Sequence, residues 1–150
     1  MHKLRIPFRV HGTGWLLLLL CISLGVTLDG PRLGLIFGLV MVASLLLHEA
    51  GHILAATFLG VPVREFGLNI AGAYIRRARA ATQQDEVLIA ASGPLMNFCL
   101  ILPLSFVPVI GHHLALGNLA LGIVNLLPIP ASDGLRILRA LRFSNEVPSA

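Results

Sequence analysis

The stretch LGLIFGLVMVASLLLHEAGHILAATFL, residues 33–59, decides the fold of this chain. It is long enough and apolar enough to cross a bilayer with some tilt. Its second half nevertheless holds three ionisable side chains, those of His48, Glu49 and His52. Such side chains are costly inside a membrane helix and usually have a function there. The stretch therefore predicts a transmembrane helix that carries a functional site; the alternative is a polar patch that only forms hydrogen bonds between helices.

The composition of the whole chain is that of a membrane protein. Of its 150 residues, 56% are apolar and 12% are charged, and the mean hydropathy is +0.86. Soluble domains have about 45–50% apolar and about 25% charged residues. These values exclude a disordered chain, disfavour a soluble monomer and leave room for one domain, residues 1–150. Cys21 and Cys99 lie inside apolar runs and have no CxxC spacing, so we expect them to be packing residues.

Four apolar runs predict an all-α polytopic membrane protein. We expect four transmembrane helices, at about residues 12–28, 33–59, 87–110 and 114–131. Asp29-Gly30-Pro31-Arg32 and Gly111-His112-His113 are the predicted turns.

The polar segment between the second and third spans has a different pattern. Residues 63–77 alternate with a period of two, and Ala71-Gly72 is a plausible turn. This pattern predicts a small membrane-associated β-hairpin. An irregular polar loop is the alternative.

Basic residues form three clusters between the apolar runs. They occur before residue 12, over residues 64–79, and in the tail as Arg136, Arg139 and Arg142. Four spans place all three clusters on one side, which the positive-inside rule makes cytoplasmic, together with both termini. We expect the tail arginines to contact anionic lipid headgroups. This distribution does not resemble a nucleic-acid-binding face, so no nucleic-acid partner is predicted.

The spacing His48-Glu49-x-x-His52 is that of a metal site. Residues four apart lie on the same face of a helix, so both imidazoles can bind one ion. Two imidazoles and a carboxylate suit zinc, and Glu49 beside the ion can take a proton from water and pass it to a leaving amine. Glu65 and Asp133 are the candidates for a third ligand. Asp133 follows a Pro-broken segment and could instead be the N-cap of the tail helix, so both roles stay open.

The other polar residues of the apolar runs give weaker signals. His112 and His113 lie in the predicted outer turn, and His11 is expected to be an interfacial anchor. Ser92 and Ser105 have no triad context, which disfavours a serine mechanism.

Three separated motifs resemble those of the site-2 protease family of intramembrane zinc metalloproteases. They are His48-Glu49-x-x-His52, Gly93-Pro94-Leu95-Met96-Asn97, and the Asn125-x-x-Pro128 segment that ends in Asp133-Gly134. They occur in the family's order with similar spacing, and the resemblance covers about residues 33–142. Leu135 stands where many members have a second glycine, and Ser132 replaces a commoner apolar residue.

The resemblance implies a role for each matching residue. His48, His52 and Asp133 would bind one Zn²⁺ ion, and Glu49 would be the catalytic acid/base. In addition, four residues would shape the substrate cleft: Gly93, Pro94, Asn97 and Asn125. The polar segment after the HExxH helix would be membrane-associated β-structure, and we expect neither a PDZ nor a CBS domain in a chain of this length.

The expected activity is therefore regulated intramembrane proteolysis. The chain would hydrolyse peptide bonds in or near transmembrane segments of membrane proteins, in the lipid bilayer, after the substrate helix unwinds. An edge strand of the 63–77 hairpin could hold the substrate. A homo-oligomer or a regulatory membrane partner is compatible with the sequence. The rival functions are an inactive relative that binds and regulates membrane helices, and a metal carrier or channel, which would need polar residues through more of the spans.

Overall fold

The structure is a computed structural model that describes residues 7–10, 14–69, 72–78 and 81–143. Its elements are β1 (Phe8–Val10), α1 (Gly14–Phe58), β2 (Val63–Asn69), β3 (Gly72–Arg77), α2 (Gln83–Ser105), α3 (Gly111–Leu126) and α4 (Asp133–Phe143). The predictions for His11 and for Ala71 in the hairpin turn lie outside the described residues. The described part is mostly helical, and α2 packs against α1, α3 and α4.

α1 is a helical hairpin whose two arms meet at Gly30. Gly30 has φ 80° and ψ 173°, and Pro31 follows it, so the helix reverses direction at the predicted 29–32 turn. The arms pack closely because glycines line their contact. A Cβ on Gly25 would lie 2.7 Å from the carbonyl oxygen of Gly34, and a Cβ on Gly38 would lie 2.8 Å from Cα of Ile22. Small residues permit this approach of two apolar helices, as they do in membrane proteins.

Among the described residues, two helices are long and apolar enough to cross a bilayer. They are the second arm of α1, Gly30–Phe58, and α2, Gln83–Ser105. The apolar part of the first arm, Leu18–Leu28, is shorter, and α3 spans Gly111–Leu126. The number of four spans stays a prediction.

α2 begins four residues earlier than the predicted third span. Thr82 is its N-cap, because its hydroxyl accepts the backbone N–H of Asp85 at 3.2 Å. Asp85 and Glu86 then occupy the first turn, where carboxylates interact favourably with the helix dipole. The predicted start of the span at about residue 87 is wrong, because charge alone does not distinguish a loop from the capped first turn of a helix.

α3 also differs in its bounds from the predicted fourth span. The chain turns at residues 106–110, so His112 and His113 belong to the first turn of α3 and not to a separate turn. The helix ends at Leu126, two residues before Pro128. Residues 127–132 then lead to α4 without regular structure.

The polar segment folds into the predicted hairpin and a third strand joins it. β2 and β3 are antiparallel, with Phe66 opposite Ile75 and Gly67 opposite Tyr74. β1 pairs with β2 in parallel, which makes β2 the central strand. We had not predicted β1, because three residues are too few for an alternating pattern.

Apolar contacts join the sheet and the helices in two clusters. Phe37 and Met41 of α1 pack against Ile110 and Leu114 at the start of α3. The second cluster joins the end of α1 to the sheet and to α2, through Ala56, Val61, Val63 and Ile89. His48 and His52 lie on the part of α1 between these clusters, facing α2.

Candidate metal centre

His48 and His52 present the same ring atom to each other on one face of α1. Their Nε2 atoms are 3.2 Å apart, and the two rings are nearly perpendicular, at 86°. Both side chains are buried, with 4% and 1% of their surface exposed. The helical spacing of four residues therefore brings two nitrogen ligands to one buried point.

The other ring nitrogen of each histidine has a carbonyl partner. Nδ1–H of His48 donates to Oδ1 of Asn97 at 2.6 Å, and Nδ1–H of His52 donates to the backbone oxygen of Ile89 at 2.6 Å. These bonds assign the proton of each neutral imidazole to Nδ1. Each Nε2 then carries a lone pair, which is the arrangement of metal-binding histidines.

Asp133 completes a triangle with these two nitrogens. Its Oδ2 lies 3.1 Å from Nε2 of His48 and 3.2 Å from Nε2 of His52, although 85 residues separate it from His48 in sequence. The carboxyl is 5% exposed. The loop after α3 and the first turn of α4 place it there.

The N-cap role that the sequence left open for Asp133 is filled by Ser132. The Ser132 hydroxyl accepts the backbone N–H of Leu135 at 3.1 Å and donates to the carbonyl oxygen of Ile129 at 2.8 Å. Asp133 is the first residue of α4, and its side chain is directed at the histidines. Gly134 permits this placement, because a Cβ there would overlap the backbone of Leu126 at the end of α3.

The three atoms fit a zinc ion. Two nitrogen lone pairs and a carboxylate oxygen that lie 3.1–3.2 Å apart are stabilised by positive charge between them, which a bound cation supplies. A tetrahedron with edges of this length has its centre about 2.0 Å from each corner, which is the length of Zn–N and Zn–O bonds. His48, His52 and Asp133 are therefore spaced as three ligands of one zinc ion would be, and a fourth position would remain for water or substrate.

Glu49 lies beside this triangle. It groups with His48 and His52, since their ligand atoms are all within 4.8 Å of one another, and it is 8% exposed. A cleft of about 300 Å³ opens onto Glu49 and His48. The cleft is lined by His48, Glu49, Tyr74, Ile75, Arg77, Asn125, Ala131, Asp133 and Arg136. It lies between α1, β3 and the start of α4, so a ligand in it meets Glu49 together with His48 and Asp133.

Gly93 has no side chain, and this leaves room beside it for the Nε2 atoms of both histidines. A Cβ on Gly93 would overlap the ring of His52 and lie 2.6 Å from Nε2 of His48. Pro94 follows in α2 and is fully buried. The structure therefore places these two predicted cleft residues behind the histidines, inside the protein, and they do not line the cleft.

Asn97 is buried and bonded at both ends of its amide. It accepts from His48, and its Nδ2 donates to Oδ1 of Asn118 at 3.1 Å. Asn118 in turn donates to Oγ of Ser44 at 3.1 Å, and all three residues are 2% exposed or less. The bonds join α1, α2 and α3 in a buried polar chain that ends on His48. We propose that Asn97 orients His48 and does not contact substrate.

The sequence had not singled out Ser44 and Asn118. The available signal was an asparagine inside an apolar helix, which is costly unless it is bonded and is usually functional. This signal gives no partner, because Asn97, Asn118 and Ser44 are brought together only by the packing of three helices.

The remaining candidates lie in different places. Asn125 lines the cleft, and its Nδ2 donates to the carbonyl oxygen of Leu121 at 3.0 Å. Glu65, the alternative ligand, is on β2, where it accepts from the hydroxyl of Tyr74 at 2.6 Å; this bond raises the pKa of Tyr74. Ser92 donates to the carbonyl oxygen of Ile89 at 2.6 Å, close to His52. Because Nδ1 of His52 is itself a donor to that oxygen, it cannot act as a base for Ser92.

We expect Gly93→Ala to abolish zinc binding. The new methyl group would occupy the space where the two Nε2 atoms meet, and the backbone of α2 cannot move away without unpacking α1. The matched control is Gly117→Ala in α3, where the Cβ would meet the end of the flexible Met41 side chain, with Sδ at 2.8 Å and Cε at 3.0 Å. Zinc content per purified chain should fall from one to near zero in Gly93→Ala and stay at one in Gly117→Ala. Equal zinc content in both variants would contradict the site.

Comparison with known proteins agrees with this geometry. The sequence model of peptidase family M50 matches residues 36–113, which is more than half of the chain. A Synechocystis protein that is provisionally named a zinc metalloprotease is 31% identical over 91% of this chain, and a zinc metalloprotease of Methanocaldococcus jannaschii is 32% identical over 91%. The chain spans 41% and 42% of the length of these two proteins.

A solved structure has the same fold. The site-2 protease from Methanocaldococcus jannaschii superposes with a TM-score of 0.76, at 28% identity, over 97% of this chain and 71% of that one. The family match covers the HExxH helix and the Gly93–Asn97 motif, and the structural match extends to Asp133. The chain therefore belongs to peptidase family M50, as a member of the site-2 protease family.

Proposed function

We propose that this chain is an intramembrane zinc-dependent endopeptidase. Its substrates would be membrane proteins that are cut in or near a transmembrane segment. The observation that carries the proposal is the convergence of His48, His52 and Asp133 within 3.2 Å, with Glu49 beside them in an open cleft. The names of the two relatives and of the solved neighbour support the same activity.

The proposed chemistry divides between the ion and Glu49. His48, His52 and Asp133 would hold zinc, which when bound supplies a Lewis acid that polarises the scissile carbonyl. Glu49 would accept a proton from the attacking water and return it to the leaving nitrogen, so that the amine leaves in neutral form. Its low exposure suits this cycle, because a buried carboxylate is shielded from competing bulk water.

We also propose a multi-pass placement in the cell membrane. Gly30–Phe58 and Gln83–Ser105 are candidate spans, and the first arm of α1 and α3 would be the other two. The basic clusters then lie on one side with both termini, which the positive-inside rule makes cytoplasmic. Large apolar side chains on the outer faces of these helices support this placement, among them Leu20, Leu54, Leu95, Leu102 and Leu116.

β3 is the strand best placed to receive a substrate segment. Within the part of the chain that the structure describes, β2 is paired on both sides and β1 lies beyond it, so β3 forms the edge of the sheet nearest the metal centre. Tyr74, Ile75 and Arg77 of β3 line the cleft beside His48 and Glu49. An unwound substrate could add to β3 as a fourth strand, which would present its peptide bonds in extended form.

A catalytically inactive relative that binds and regulates membrane helices is the alternative. It would keep the fold and the edge strand, but it would not need a carboxylate at position 49 in an open cleft. Glu49 lines such a cleft, which favours the protease.

We expect Glu49→Gln to separate metal binding from catalysis. The amide keeps the size of the side chain but cannot take a proton, so cleavage of a synthetic transmembrane peptide should fall at least about a hundredfold. Zinc content should remain at one per chain, because Glu49 is not among the three ligands. Asp85→Asn is the control, since it makes the same change outside the cleft and should retain activity. Full activity in Glu49→Gln would disprove its role as the base.

N-methylation of the peptide tests the proposed strand addition. A strand that joins one edge uses the N–H groups of alternate residues only. Two peptides are compared, one N-methylated at every second residue beside the scissile bond and one N-methylated at the residues between. KM should rise at least about tenfold for the peptide whose methylated N–H groups face β3, and much less for the other. Equal effects in both peptides would contradict binding along β3.

A further inference from the structure

The two oxygens of Asp133 have different partners. Oδ2 faces the two histidines, whereas Oδ1 accepts from Nη1 of Arg136 at 2.8 Å. Arg136 lies one turn along α4 from Asp133. An aspartate at the first position of a helix can rotate about its side-chain bonds, and a bond to Oδ1 fixes which way Oδ2 points.

Arg136 is held by a second carboxylate. Its Nε donates to Oε1 of Glu86 at 2.9 Å, and Oε2 of Glu86 lies 2.6 Å from Nη1 of Arg77. The side chains of Glu86 and Arg77 are 19–20% exposed and that of Arg136 is 29% exposed, so water screens these pairs only in part. The result is a row of alternating charges, Arg77–Glu86–Arg136–Asp133, that joins β3, α2 and α4.

The planar guanidinium makes Arg136 suited to this position. Its Nε donates to Glu86 while its Nη1 donates to Asp133. A lysine could not bind both carboxylates in this geometry. Glu86 also balances the positive charge of Arg136, which would otherwise oppose the approach of a divalent cation to Asp133. Mutation of a residue that hydrogen-bonds to a metal ligand commonly lowers metal affinity by about 10–100-fold.

We propose that Arg136 and Glu86 are positioning residues for the metal centre. Arg136 fixes the carboxylate of Asp133, Glu86 fixes Arg136, and Arg77 holds the far oxygen of Glu86 on the strand that borders the cleft. This inference rests on the proposed function only in that Asp133 is a zinc ligand. The tail arginines therefore differ in role: Arg136 serves the site, while Arg142 is exposed in the last turn of α4.

The test is the zinc dissociation constant of the full-length protein in detergent, measured by competition with a chromophoric chelator. Arg136→Gln should raise the dissociation constant about 10–100-fold, and Arg136→Lys should also raise it, because lysine keeps the charge but cannot bridge. Arg142→Gln, in the last turn of α4, is the matched control and should not change it. The absorption spectrum of the cobalt-substituted protein should shift in Arg136→Gln and Arg136→Lys only.

A double-mutant cycle separates positioning from a general loss of stability. Glu86→Gln should raise the dissociation constant in the wild-type background but not in Arg136→Gln, because it acts only through Arg136. A Glu86 effect of equal size in both backgrounds would overturn the proposal, as would an unchanged constant in Arg136→Gln. Failure of the proposed function has a different signature, since wild-type protein would then bind no zinc or bind it without cleaving any peptide.

Discussion

The structure depends on the meeting of three acceptor atoms at one buried point. Nε2 of His48, Nε2 of His52 and Oδ2 of Asp133 lie within 3.2 Å of one another, and both Nδ1 atoms are already donors to carbonyl oxygens. Positive charge between these atoms stabilises the arrangement, and a divalent cation supplies it. Several other features of the chain follow from this requirement.

Each neighbouring element has a feature that permits the meeting. α2 carries Gly93 where a side chain would fill the space, and α4 begins with Gly134 where it crosses the end of α3. Ser132 caps α4 and so releases Asp133 from that role. Behind His48, the buried chain through Asn97 and Asn118 satisfies polar groups that would be costly in an apolar core, and it fixes the ring without using its ligand atom.

The sequence predicted the local parts of this site and missed the parts that depend on packing. The positions of His48, Glu49 and His52 follow from helical periodicity, and the hairpin follows from a period of two. Spacing alone left two roles open for Asp133, metal ligand and helix N-cap. The family resemblance implied the ligand role. The partners of Asn118 and Arg136 could not be predicted from the sequence. Asn118 is bonded to Asn97, 21 positions away, and Arg136 to Glu86, 50 positions away, and each pair joins two different helices. β1 was missed because its pairing partner lies more than 50 residues along the chain.

The most direct test of the central claim is the zinc X-ray absorption spectrum of the purified protein. The geometry predicts one zinc per chain, bound by two imidazole nitrogens and by oxygen at about 2.0 Å, with no sulfur in its coordination shell. The multiple-scattering pattern of two imidazoles should be present in the wild-type spectrum, and it should be weakened when His48 is replaced. A spectrum with one imidazole, with sulfur ligands, or with no bound zinc would contradict the account.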